Sequence, residues 1–152
     1  MKKKTLAVSL PYERQDAFGA LSMPVYNAVA YEFETAKDMA DAFTGRVIAP
    51  DYSRTANPTV TNLERRVKAL TGAHDVTAMN SGMAAISNTV MALAASGKNI
   101  VTSRHMFGNT FDLLTNTLKR FGIETRLVDL NNREEVDRNI DDNTCCVFFE
   151  II

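Results

Sequence analysis

From residue 75 onward the sequence alternates apolar strand-like runs with amphipathic helix-like runs, and that rhythm leaves few folds open. Asp75–Met79, Asn99–Ser103, Ile123–Asp129 and Thr144–Glu150 read as strands; Gly82–Ala95, Asn109–Phe121 and Arg133–Ile140 read as helices. Phe111, Leu114, Leu118 and Phe121 recur at helical spacing, while Gly97 and Gly122 close their helices. Strands separated by helices of this length are joined by crossovers, which make a mainly parallel sheet. Such a sheet carries helices on both faces, and the near-continuous apolar run Cys145–Phe149 suits a strand buried from both sides. The class is α/β.

Upstream the pattern is weaker. Residues 1–34 are interrupted by Pro11, Gly19 and Pro24 and read as an arm. Thr35 caps a helix over Thr35–Phe43 with Asp38 in its first turn, and Gly45 follows its end. Asn57 as cap and Pro58 as first helical residue start a second helix, in which Val60, Leu63, Val67 and Leu70 share a side and Gly72 ends the run. The expected organisation is an arm plus first helix over 1–45 and an α/β domain over 46–152. That domain reads as truncated, because its most apolar strand reaches Ile151–Ile152 with no helix after it to cover it.

The net charge of −1 offers no basic surplus for nucleic acid or an anionic membrane. Met1–Lys4 and Thr5–Leu10 resemble the start of a leader, but Pro11–Tyr12–Glu13–Arg14 ends the short apolar run without a cleavage site. No window approaches the roughly 18 apolar residues of a spanning helix, so the cytoplasm is the expected compartment. Cys145 and Cys146 are neighbours in a strand, where successive side chains point to opposite faces; they read as buried structural thiols rather than a disulfide or a metal pair. His74 and His105 show no ligand spacing, and no metal site is expected.

Met79–Asn80–Ser81–Gly82–Met83–Ala84–Ala85–Ile86 carries the chemistry. A strand entering an Ala-rich helix through small residues gathers unpaired backbone N–H groups at the positive end of a helix dipole. A phosphate suits that place. By itself the stretch reads first as a well-capped helix, with Ser81 as cap and Gly82 easing the bend.

Three segments together settle the comparison. Tyr52–Ser53–Arg54 with Asn57–Pro58–Thr59 and Leu63–Glu64, then Ser81–Gly82–Met83–Ala84–Ala85–Ile86, then Phe107–Gly108–Asn109–Thr110 resemble the transsulfuration enzymes that use pyridoxal phosphate. That family includes cystathionine γ-synthase and γ-lyase, methionine γ-lyase and the O-acetylhomoserine sulfhydrylases. The resemblance implies the N-terminal portion of the type I fold of pyridoxal phosphate transferases. It also implies that the Ser81–Gly82–Met83 turn holds the cofactor phosphate, and that Phe107 stacks on the cofactor ring. Tyr52 and Arg54 would reach the phosphate of a neighbouring subunit, so the resemblance implies a homo-oligomer, a dimer or tetramer, acting on a small amino-acid substrate.

Two departures refine this. Many members have Tyr where Phe107 stands, and a phenyl ring stacks but donates no proton to a leaving group. Acetate leaves with little help, so an O-acetylhomoserine sulfhydrylase of methionine biosynthesis fits better than a γ-lyase or a cystathionine synthase; Asn109 points the same way. The lysine that forms the family's Schiff base is absent, since none of Lys2, Lys3, Lys4, Lys37, Lys68, Lys98 and Lys119 has the expected Ser-x-Thr-Lys setting. No catalytic residue is therefore expected in this chain, which alone would be inactive; a phosphate-binding piece without chemistry is the remaining alternative. No G-x-G-x-x-G follows a strand, which disfavours a dinucleotide site.

Overall fold

The computed structural model describes residues 3–12 and 18–151. Met1, Lys2, Glu13 and Arg14 of the leader-like start, and the terminal Ile152, lie outside the described residues. The chain divides into two compact units, Met1–Ala78 and Met79–Ile152.

In the first unit, the expected arm contains a helix, α1 (Lys3–Ser9), packed on α3 (Pro58–Thr71). It is fastened by Arg66 of α3, whose guanidinium donates to the Ala7 and Leu10 carbonyls at 2.9 and 3.2 Å. These acceptors lie 59 and 56 residues away in sequence, which is why a local pattern does not announce the helix. Helix α2 (Ala36–Phe43) begins as expected, with Thr35 accepting from the Asp38 N–H at 3.1 Å. Helix α3 (Pro58–Thr71) starts at Asn57 and ends at Gly72, whose φ of 74° is the left-handed cap that glycine adopts without strain.

The second unit is a three-stranded parallel sheet in the order β2-β1-β3, made of β1 (Asn99–Ser103), β2 (Glu124–Val128) and β3 (Thr144–Phe148). Its helices are α4 (Gly82–Leu93), α5 (Gly108–Asp112) and α6 (Arg133–Asn139). The rod begun by α5 continues as a π turn (Leu113–Thr117) and a 3-10 turn (Leu118–Phe121), where a single α-helix is expected from the sequence. The widened turn coincides with Thr125 of β2 donating to the Leu114 carbonyl at 2.7 Å, a tertiary bond no helical period encodes.

Val90, Ile100, Leu114, Leu118 and Ile123 form the core, with Ile86, Met106 and Phe148 packed against it. Asn99, Ile100, Val101 and Thr102 are all buried, so β1 is covered on both faces. The most buried strand is thus β1 rather than the more apolar β3. The outer side of β3 has no strand partner among the described residues, and Val147 and Phe149 are exposed.

Two further expectations are corrected. Asp75–Met79 forms no ladder with any described strand; it is anchored instead by the Ala78 N–H donating to Glu64 at 2.8 Å. Cys145 and Cys146 are half-buried free thiols, and their sulfurs lie 4.0 Å apart rather than on opposite faces. The cause is a bulge: Asn99 pairs with Thr144 and Ile100 with Cys146, leaving Cys145 as the extra residue. Burial, reinforced by Cys145, pushes the Cys146 thiol up to about 11.

Candidate functional site: a phosphate turn and an aromatic loop

In a parallel sheet the ends from which the strands emerge toward their helices gather loops and helix N-termini, and ligands bind there. The second unit's candidate residues collect at that end. Ser81, extended at φ −158°, caps α4 by accepting from the Ala84 N–H at 3.0 Å. One lone pair of Ser81 Oγ is used in this way, and its proton stays available to a ligand. The Ala85 N–H is satisfied by the Ser81 carbonyl at 3.0 Å. The N–H groups of Gly82 and Met83 have no partner among the described residues. Gly82 is exposed, and a Cβ built there meets nothing within 4 Å, so the start of α4 is open at Gly82.

Beyond β1 the chain turns through Phe107, which is 64% exposed and presents an open aromatic face. Phe107 is the cap residue of α5 and its side chain makes no capping bond. Glu150, just past β3, supplies that function: its carboxylate accepts from the Phe107 N–H and from Thr110 Oγ1, both at 2.7 Å. Thr110 is buried and also lies 3.9 Å from the Met83 sulfur, which ties the aromatic loop to the turn at Ser81–Met83. In the sequence Glu150 reads as the end of a strand, and nothing local marks Thr110 for a role. Their meeting spans 40 residues and left no local signal.

In the first unit Tyr52 and Arg54 sit on a tight turn, with the guanidinium carbon 4.9 Å from the Tyr52 ring centre. Neither the Arg54 guanidinium nor the Tyr52 hydroxyl has a hydrogen-bond or ion-pair partner among the described residues. The turn is fixed from behind by Asn57, whose amide donates to the Tyr26 carbonyl and to Ser53 Oγ, both at 2.9 Å. Ser53 in turn donates to the Ala28 carbonyl and meets Tyr31 Oη at 3.1 Å. Asn57 reads in the sequence as a helix cap, and it caps α3 by accepting from the Thr59 N–H at 2.9 Å; its part as this hub has no local signal.

Unpartnered amides on an open turn and an exposed aromatic residue in the same unit suit a phosphorylated heteroaromatic cofactor. The comparisons define that class. The family model described as Cys/Met metabolism PLP-dependent enzyme matches residues 4–152, and the chain belongs to this family. It is 39% identical over 150 residues to a cystathionine gamma-lyase of Bacillus subtilis, covering 99% of this chain and 37% of that protein. It is 38% identical over 146 residues to an O-succinylhomoserine sulfhydrylase of Pseudomonas aeruginosa, covering 96% and 36%. A crystal structure from Campylobacter jejuni, provisionally assigned as an O-acetylhomoserine (thiol)-lyase and containing pyridoxyl-lysine monophosphate, superposes with a TM-score of 0.91 at 35% identity, over 98% of this chain and 36% of that one. The chain thus spans about a third of the length of the relatives it matches. No described helix is long and apolar enough to cross a membrane.

Proposed function

We propose that the whole protein is a cytoplasmic, homo-oligomeric sulfhydrylase that replaces the acyl group of an O-acylhomoserine, O-acetylhomoserine foremost, with sulfide or a thiol. Bound pyridoxal phosphate supplies an electron sink that makes protons near the substrate nitrogen acidic. Gly82 and Met83 donate their amides to its phosphate, and Ser81 offers its hydroxyl proton. Arg54 and Tyr52, serving a neighbouring subunit, add a charged fork and a phenol. Phe107 stacks on the ring and keeps water from that face.

The observation that carries the sulfhydrylase reading is Phe107 itself. An exposed phenyl at this position holds a ring but has no acidic proton to give a departing thiolate. A carboxylate leaves without that proton. On this reading the 152 residues taken alone are catalytically silent, because no lysine stands in the required setting. The similarity to a cystathionine gamma-lyase supports a second reading, γ-elimination from cystathionine or methionine.

The test is a comparison of rates in the full-length protein. With O-acetylhomoserine and sulfide it is expected to form homocysteine faster than it releases an α-keto acid from cystathionine or methionine. Phe107→Tyr is expected to raise the elimination rates selectively. Dominant elimination by the unmodified protein would replace the first reading with the second.

A further inference from the structure

An isolated helix start closes its own capping box: a side chain at the third helical position reaches back to the N–H of the cap residue. In α5 that box is split. The cap residue is Phe107, whose ring cannot cap, and the third helical position is Thr110, whose hydroxyl is too short to return to Phe107 and instead points to Glu150. Glu150, arriving from β3, takes the Phe107 N–H on one carboxylate oxygen and the Thr110 hydroxyl on the other. A carboxylate only accepts, so both donors must turn toward it, and charge makes each bond stronger than a neutral one. The Phe107 backbone N–H is thereby tied to the end of β3, while the residue as a whole remains 64% exposed.

We propose that Glu150 is a positioning residue for the Phe107 ring: by gripping the backbone of Phe107 through a capping box shared with Thr110, it fixes the plane that a bound heteroaromatic ring meets. The inference rests on the proposed cofactor role of Phe107. Glu150 itself touches no ligand in this scheme and transfers no proton. A stacked pair loses its contact quickly when one ring tilts, because the attraction depends on ring geometry as well as area. A loosened Phe107 backbone therefore weakens cofactor binding only through the ring.

The test is a double-mutant cycle in the full-length protein, resolved to the apo form and titrated with pyridoxal phosphate. Glu150→Ala is expected to weaken binding about tenfold when Phe107 is present and less than twofold in the Phe107→Ala background, within the coupling seen for residues that act as a unit. The apo-protein melting temperature is expected to fall by the same amount in both backgrounds, because the backbone N–H that Glu150 grips is present in each. Equal losses of affinity in the two backgrounds would assign Glu150 a purely structural role and overturn the inference while leaving the cofactor reading intact. If the unmodified protein takes up no pyridoxal phosphate, the cofactor reading falls first and the inference with it. Should Glu150→Ala fail to fold, Thr110→Val, which keeps the buried shape and removes one of the two donors, is expected to show the same coupling at about threefold; no coupling there would also overturn it.

Discussion

Arg126 donates to Asp141 across 2.8 Å at the end of the sheet where the strands begin, opposite the loops that carry the candidate site. The same carboxylate accepts from the buried Asn99 amide and from the Asn143 N–H, each at 2.9 Å, so one acid joins β2, β1 and the approach to β3. Thr144 closes the ring by donating to Asn99 Oδ1 at 2.8 Å. One end of the sheet is closed by satisfied polar groups while the other offers unpartnered amides.

The hydrogen bond from Arg126, helped by those from Asn99 and Asn143, holds the Asp141 carboxyl at about 2, below its ordinary 3.8. A carboxyl with a depressed folded-state pKa contributes stability that is fully present above its unfolded pKa and lost as pH falls toward the folded one. Between roughly pH 4 and pH 2 the protein is therefore expected to lose stability more steeply than Asp141→Asn does. Chemical denaturation across that range checks it, and parallel slopes for the two proteins would remove Asp141 from the network's energetics.

Asn57 performs two tasks at once, capping α3 through Thr59 and holding the Tyr52–Arg54 turn through Tyr26 and Ser53. Asn57→Ala is expected to cost about 2–3 kcal/mol locally, the sum of a lost cap and stranded partners. Asn57→Ser keeps an acceptor for the cap and is expected to cost about 1–2 kcal/mol, since it cannot reach Tyr26. Hydrogen exchange at the first amides of α3 reads both. Equal exchange in the two variants would show that the turn contributes nothing to holding the helix start.

What the sequence made legible was local. Thr35, Asn57 and Ser81 cap the helices they precede because a short polar side chain needs only its own next two or three residues. The alternation of strands and helices likewise gave the parallel sheet, as the register of β1 with both neighbours shows. What stayed hidden depends on distant partners. Asp75–Met79 has strand composition but no described strand to pair with, and the Cys145 bulge follows from how β3 meets β1. The grip of Glu150 on Phe107 joins two loops that the sequence separates by 43 residues. A site built at strand ends is written in loops, and loop meetings are the part of a fold that periodicity does not encode.

Two peptide amides are expected to hold the phosphate of the cofactor, and a crystal structure of the full-length protein with pyridoxal phosphate shows where that phosphate sits. Phosphate oxygens are expected about 2.7–3.2 Å from the backbone nitrogens of Gly82 and Met83, with the Ser81 hydroxyl turned toward them. A cofactor phosphate seated elsewhere, with those two amides facing water or protein, would remove Gly82 and Met83 from the cofactor site.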